Sequence, residues 1–293
     1  MKRVSTPRSV TSQAHAKLNV FLRVLGARPD GYHDLESLVL PLSLADQVTV
    51  TDADHLHLDV LTEGALAGSL EAGGMNLALV AALALAEAWE GPAQGAEIRI
   101  EKRIPVAAGL GGGSADAAAT LLALNDLWGC ELDLDSLLSI GERIGSDVPA
   151  MLAGVPVMIR GRGERVAPVA AGTTWWAVHP FDFPTRSPDA YRWWDEDGGA
   201  TGQDPGALVA AAETGNVELL GHALFNDLEP CVSRRHPEIA EVKRALLDAG
   251  ALGAVMSGSG PTVVALARHT MHADQLAVAV PGSFIVSGPP GAA

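Results

Sequence analysis

Cysteine is almost missing from this 293-residue chain: the two present, Cys130 and Cys231, make neither a metal-spaced pair nor a disulfide framework. A reducing cytoplasm is the expected setting. Positive charge is also scarce, with 20 Lys and Arg against 35 Asp and Glu and a formal charge of −15. That balance argues against nonspecific binding to nucleic acid or to an anionic membrane, so any phosphate site has to be built locally. No apolar run is long enough to span a bilayer; Leu77 to Ala86 is the longest. The basic start MKRVSTPR lacks the apolar core of an export signal behind it. No internal repeat is visible. What is present is ordinary globular material: 48% hydrophobic residues can supply a packed core, and the length corresponds to about two domains.

Glycine is concentrated where it matters. Within PVAAGLGGGSADAAATLL (Pro105 to Leu122), Gly109, Gly111, Gly112 and Gly113 follow a strand-like EIRIEKRI and lead into an alanine-rich helical segment. Ala117, Leu121, Leu124 and Trp128 share one helical face, and Gly129 is the expected stop. A glycine loop entering a helix aims free backbone N–H groups and the positive end of the helix dipole at one point, which suits phosphate. Two familiar signatures are excluded. The dinucleotide fingerprint would need glycine at Ser114 or Asp116, and a Walker A loop needs a lysine, but none lies between Lys102 and Lys243. A tight strand-to-helix turn with no ligand is the plainer alternative, although four glycines exceed what a turn needs.

Elsewhere the signals are local. Ser12 to Leu25 reads as a strand that places Lys17 and Asn19 on one face; from spacing alone a solvated edge explains them as well as a site does. Arg28 to Glu36 (RPDGYHDLE) has turn chemistry and presents Tyr32 and His33, a pair able to stack on and hydrogen-bond a planar base or simply to decorate the surface. Val39 to Leu58 continues as strand, with His55 and His57 on one face and no third metal ligand. A helix is expected over Ala72 to Ala88, with Asn76 as a possible cap, and another over Leu132 to Gly145. Asp147 follows in a turn before an apolar segment, where it is either a helix cap or a general base. A composition shift near Arg160 to Gly172 places a domain boundary at 165/166. Beyond it come the aromatic loop FDFPTRSPDAY, a polar glycine-rich stretch from Asp195 to Gly206, and an amphipathic helix over Glu238 to Ala249. Gly253 to Ala265 reads as strand, glycine turn and strand.

Taken together, GLGGGSADAA (Gly109 to Ala118) with AKLNVFL, RPDGYHDLES, GSDVPAML, NDLEP and GAVMSGSGPT resembles the GHMP kinase superfamily of small-molecule kinases. Within it, the order of these motifs is similar to the branch acting on 4-diphosphocytidyl-2-C-methyl-D-erythritol. The resemblance implies an α+β, two-domain GHMP kinase fold. Residues 1–165 would form a domain like the second domain of ribosomal protein S5, residues 166–293 a ferredoxin-like domain, with the site in the cleft between them. It implies ATP-dependent phosphorylation of the substrate's tertiary 2-hydroxyl, in the non-mevalonate route to isoprenoid precursors. Lys17 and Asp147 match the catalytic pair, the carboxylate accepting the hydroxyl proton while the ammonium keeps it ionised and offsets transferring charge. Pro105, Ala107, Ala108, Gly109, Leu110, Gly111, Gly112, Gly113, Ser114 and Ala115 match the ATP loop, with Asn76 nearby; Ala115 stands where the family often has a second serine, which removes a hydroxyl but no backbone donor. Ser114 could reach phosphate or a water on Mg²⁺. Asn19, Tyr32, His33, Asp147, Phe183 and Thr185 match the substrate side. No carboxylate besides Asp147 suggests a protein-held metal, so Mg²⁺ would arrive with ATP. The expected partners are therefore this small-molecule substrate and ATP, with no nucleic acid, membrane or obligate protein partner. The alternatives are a homoserine or mevalonate type of GHMP kinase, or a non-catalytic sugar-binding sensor of the same fold.

Overall fold

The computed structural model describes residues 7–62, 76–91, 94–106 and 108–290. It has two compact units assembled from interleaved segments: Met1–His15, Ala45–Val106 and Gly112–Leu152 form the first, and Ala16–Leu44, Ala107–Gly111 and Ala153–Ala293 the second. Two long strands, β1 (Ser9–Ala27) and β2 (His33–Ala53), contribute residues to both.

In the first unit, β4 (Gly95–Lys102) pairs antiparallel with Gln47–Ala53 of β2 and parallel with β3 (His57–Thr62). Its alternation is regular: Ala96, Ile98, Ile100 and Lys102 are buried, and the residues between them are exposed or half-buried. Each isoleucine removed from water contributes roughly 1.5–3 kcal/mol, and the same period-two geometry carries Lys102 inward with them. Three helices complete the unit: α1 (Leu77–Ala88), α2 (Gly112–Trp128) and α3 (Leu134–Ile144). The expected face of α2 is buried, and so are Ala115 to Ala119 around it, because small alanine side chains let α1 approach closely. Gly129 ends α2 at φ +66°, and Trp89 stacks on Trp128 with ring centroids 6.2 Å apart. Asn76 caps α1, its side chain accepting the Ala78 N–H at 2.9 Å; residues 72–75, where the helix was expected to start, lie outside the described residues. The expected continuous strand over Val39 to Leu58 is interrupted at Asp54 to Leu56, so His55 lies in a bend and His57 opens β3. The two histidines therefore do not share a strand face.

In the second unit, four antiparallel strands run in the order β11 (Phe284–Gly288), β7 (Thr174–His179), β10 (Val263–Ala267) and β9 (Gly253–Met256). Every residue of β10 is buried, as a central strand requires. Helices α9 (Pro237–Asp248) and α10 (Thr270–Ala279) pack on the sheet, with Ile239, Leu246, Ala273 and Leu276 in the core. Ala249, the expected last residue of this helix, is its exposed C-cap. Also in this unit, β5 (Val157–Gly161) pairs with Leu35–Val39 of β2 and with β6 (Arg165–Pro168), while β8 (Phe225–Asn226) lies parallel to Phe21 and Leu22 of β1. The segment SPDAY belongs to α5 (Ser187–Glu196), which extends through Asp195 into the stretch expected to be a polar loop.

Burial also sets a pH response. Asp116, on α2, is pushed up to about 7 by burial, with Asp46 adding and Lys102 opposing. Its protonated form is favoured in the fold, so this contribution is complete below the ordinary carboxylate value and is lost as pH rises through about 7. Buried Asp227 is displaced upward as well, whereas burial lowers His179 and His272 and acts in the opposite sense below about 6.5. Thermal melts from pH 5 to pH 8 should therefore show Asp116→Asn gaining on wild type as pH rises. Parallel melting curves at every pH would contradict this.

Candidate active site

Two of the sequence-predicted site residues in the second unit, Lys17 and Asn19, lie on β1. Lys17 and Asn19 do share a face, and both are about 95% buried, at 5% and 4% exposure, which removes the solvated-edge alternative. Lys17 Nζ donates to Asn19 Oδ1 at 2.5 Å. Asn19 Nδ2 donates to Ser37 Oγ at 2.8 Å, and the Ser37 hydroxyl in turn donates to the Phe21 carbonyl. The Asn19 N–H donates to Ser257 Oγ at 3.0 Å. Such a chain of buried donors and acceptors holds the amide in one orientation, leaving its oxygen to the ammonium.

The turn between β9 and β10 closes over this pair. Asn226, on β8, donates through Nδ2 to the carbonyls of Met256 and Gly258, each at 2.7 Å. Gly258 has φ +61°, and a Cβ there would lie 2.8 Å from Asn19 Oδ1 and 3.3 Å from Lys17 Nζ. Gly258→Ala should therefore displace the ammonium and lower turnover roughly tenfold or more, since small misplacements in a reacting site are costly. Steady-state kinetics beside a thermal melt would separate this from simple unfolding; a variant with wild-type kcat would contradict it.

The first part of the glycine loop is tied to the same place. The backbone N–H of Lys17 donates to the Leu110 carbonyl at 2.9 Å, and the buried Thr262 hydroxyl donates to the Ala108 carbonyl. Gly109 and Gly111 both adopt φ +74°. Ala107 lies outside the described residues. Pro105 and the half-buried Ser114 flank this stretch, and Gly112, Gly113, Ser114 and Ala115 form the first turn of α2 in the first unit. Asp147, also in the first unit, is half-buried in the turn between α3 and α4 (Val148–Ala153), where its carbonyl accepts the Met151 N–H at 3.2 Å.

Tyr32 and His33 behave differently from each other. Tyr32 is half exposed, with the Arg162 guanidinium 5.3 Å from its ring centroid. The His33 side chain is buried against α5. Its ring stacks on Tyr191 at 4.9 Å and meets Trp194 edge-on at 5.7 Å, while Nε2 lies 3.0 and 3.1 Å from the two Asp195 carboxylate oxygens. Tyr191, Trp194 and Asp195 sit at i, i+3 and i+4 of one helix, so a single helical face clamps the imidazole. Phe183 stacks on His236 at 4.5 Å and meets Phe181 in a tilted arrangement at 5.1 Å. Thr185 is buried, and its hydroxyl has no hydrogen-bond partner among the described residues. Sequence reasoning missed Ser37, Asn226, Ser257 and Asp195. RPDGYHDLES, NDLEP and SGSGP offered a signal for the first three; nothing local marked Asp195.

This arrangement has counterparts. Residues 76–155 match the family described as "GHMP kinases N terminal domain", and residues 208–286 match "GHMP kinases C terminal". The 4-diphosphocytidyl-2-C-methyl-D-erythritol kinase of Symbiobacterium thermophilum is 46% identical over 255 residues, covering 86% of this chain and 88% of that one. The chain belongs to the 4-diphosphocytidyl-2-C-methyl-D-erythritol kinase family of GHMP kinases. A crystal structure of a 4-(cytidine 5'-diphospho)-2C-methyl-D-erythritol kinase is similar with a TM-score of 0.79 at 35% identity, covering 96% of this chain and all of the other. Homoserine kinase from Cytophaga hutchinsonii, at 23% identity and a TM-score of 0.73 over 99% of this chain and 97% of its own, shares the fold. The expected α+β GHMP kinase fold is thus observed. No helix among the described residues is long and apolar enough to cross a membrane.

Proposed function

We propose that this kinase transfers the γ-phosphoryl group of ATP to the tertiary 2-hydroxyl of 4-diphosphocytidyl-2-C-methyl-D-erythritol. The observation that carries the reading is the buried Lys17–Asn19 pair bonded, through the Lys17 backbone, to the glycine loop. A cation held beside a phosphate cradle is what phosphoryl transfer needs, because positioning and electrostatics rather than covalent chemistry lower its barrier. Backbone N–H groups of Gly109 to Ser114 hold the phosphates, and Asn76 lies on the nucleotide side. Lys17 offsets charge on the transferring group, and Asn19 fixes Lys17. Asp147 accepts the hydroxyl proton. Tyr32, His33, Phe183 and Thr185 take the cytidyl end. For a Mg²⁺ carried by the nucleotide, the Ser114 hydroxyl at the start of α2 would be the group offered to the ion's water. When bound with ATP, Mg²⁺ supplies charge neutralisation between the phosphates.

The relatives favour this substrate over homoserine or mevalonate, since the likeness to homoserine kinase reaches the fold alone. ADP release measured with the cytidyl substrate, homoserine and mevalonate in parallel tests it. Turnover of the first alone is expected; turnover of homoserine without the first would overturn it. Asp195→Ala should free the His33 ring and raise KM for the cytidyl substrate roughly tenfold with kcat little changed, the loss of one charge-assisted hydrogen bond. An unchanged KM would show that the clamp does not serve substrate capture.

A further inference from the structure

Three ionisable side chains are buried together beneath the first turn of α2, all within the first unit. Lys102 Nζ donates to Asp46 Oδ2 at 2.5 Å and to Asp116 Oδ2 at 2.7 Å, and the three side chains are 5%, 0% and 5% exposed. Asp46 Oδ1 accepts the backbone N–H groups of Arg103 at 2.5 Å and Ile104 at 2.8 Å. Asp116 Oδ1 is buried with no hydrogen-bond partner among the described residues. Each member comes from a different element: the middle of β2, the last residue of β4 and the start of α2. Lys102 also sits under the loop itself, since a Cβ on Gly112 would lie 3.4 Å from its Nζ.

Stability does not account for this cluster. Desolvating three charges is costly, and apolar side chains of similar volume would hold the layer as well. Moreover, burial pushes Asp116 up to about 7 despite Lys102. What the cluster does provide is fixed geometry. Asp46 grips the backbone that enters the glycine loop, at Arg103 and Ile104, and Lys102 joins that grip to the helix that leaves it.

We propose that the Lys102 ammonium, bridging Asp46 and Asp116, is a positioning device for the nucleotide phosphates: it sets the direction of the N–H groups of Gly112 to Ser114. The inference rests on the glycine loop being an ATP cradle. Its members act through the backbone and need not touch ATP.

Asp116→Ala is the decisive variant because field and geometry predict opposite signs. It deletes a negative charge beside an anion site, which by field alone would tighten ATP, whereas loss of the link to α2 loosens it. Lys102 keeps Asp46 as its partner, so no charge is left unpaired and the fold is retained. Calorimetric titration with a non-hydrolysable ATP analogue at pH 8, together with KM for the cytidyl substrate, reads the outcome. Weakening of the analogue by roughly 10- to 100-fold, with the acceptor KM held within about twofold, is expected. The triple variant Asp46→Asn, Lys102→Met and Asp116→Leu, which leaves no buried charge, should melt near wild type yet show the same loss. Unchanged or tighter analogue binding by Asp116→Ala would overturn the positioning role alone. A wild-type chain that binds no ATP analogue would overturn the kinase reading and this inference with it.

Discussion

Asp147→Asn is expected to lower kcat by about 10²–10⁴-fold, the usual contribution of a general base, while a non-hydrolysable ATP analogue still binds. The amide is nearly isosteric with the carboxylate, and two bonds of the turn are independent of the side chain: the Asp147 carbonyl accepts the Met151 N–H at 3.2 Å, and the Gly145 carbonyl accepts that of Val148 at 3.1 Å. The substitution therefore preserves both backbone bonds of the turn between α3 and α4 and removes the proton acceptor. A half-buried site of this kind is also where a carboxylate can meet a substrate hydroxyl without losing all solvation. Turnover near the wild-type rate would remove Asp147 from the base role and leave it a helix-capping residue.

Gly109→Ala has the second large effect. Position 109 holds φ +74°, a region that costs a side-chain-bearing residue about 1–3 kcal/mol. A Cβ there would stand 2.7 Å from the Gly260 carbonyl oxygen and 3.3 Å from that of Ser257. These are backbone atoms of the β9–β10 turn, which Asn226 already holds, so they have little freedom to retreat. The loop has to move instead, and it carries the Leu110 carbonyl that anchors Lys17. Nucleotide KM should rise at least tenfold and kcat should fall with it, because the cradle and the lysine are displaced together. A denaturant titration should show the strain as reduced stability. A variant that keeps wild-type kinetics would mean that the loop tolerates a second conformation.

Where the sequence was legible, local physics was sufficient. Parity alone paired Lys17 with Asn19, and helical spacing identified the buried face of α2 with its glycine stop. The cap at Asn76 followed from residue type and place. The loop could be distinguished from two other nucleotide motifs because those have fixed spacings. What remained hidden depends on partners far away in the chain. Parity could not tell a solvated edge from a buried pair, since the burial of Lys17 and Asn19 is supplied by Ser37, Ser257 and the glycine turn. Asp195 looked like the start of a polar loop because Asp, Glu and Gly follow it, yet tertiary packing extends α5 through it and turns its carboxylate to His33, 162 residues away. Lys102 served only to rule out a Walker A loop. Its role emerged once alternation in β4 carried it inward, to carboxylates 56 and 14 residues distant.

The central claim concerns which oxygen receives phosphate, and the product answers it. After incubation with ATP, Mg²⁺ and the cytidyl substrate, the purified product should show by ³¹P NMR the retained diphosphate and one new phosphomonoester resonance. The 2-carbon bears no hydrogen, so that new resonance should lack three-bond coupling to a proton. A new phosphomonoester split by a carbinol proton would place the phosphate on a primary or secondary hydroxyl, and no new resonance would mean no transfer. Either result would contradict the assignment.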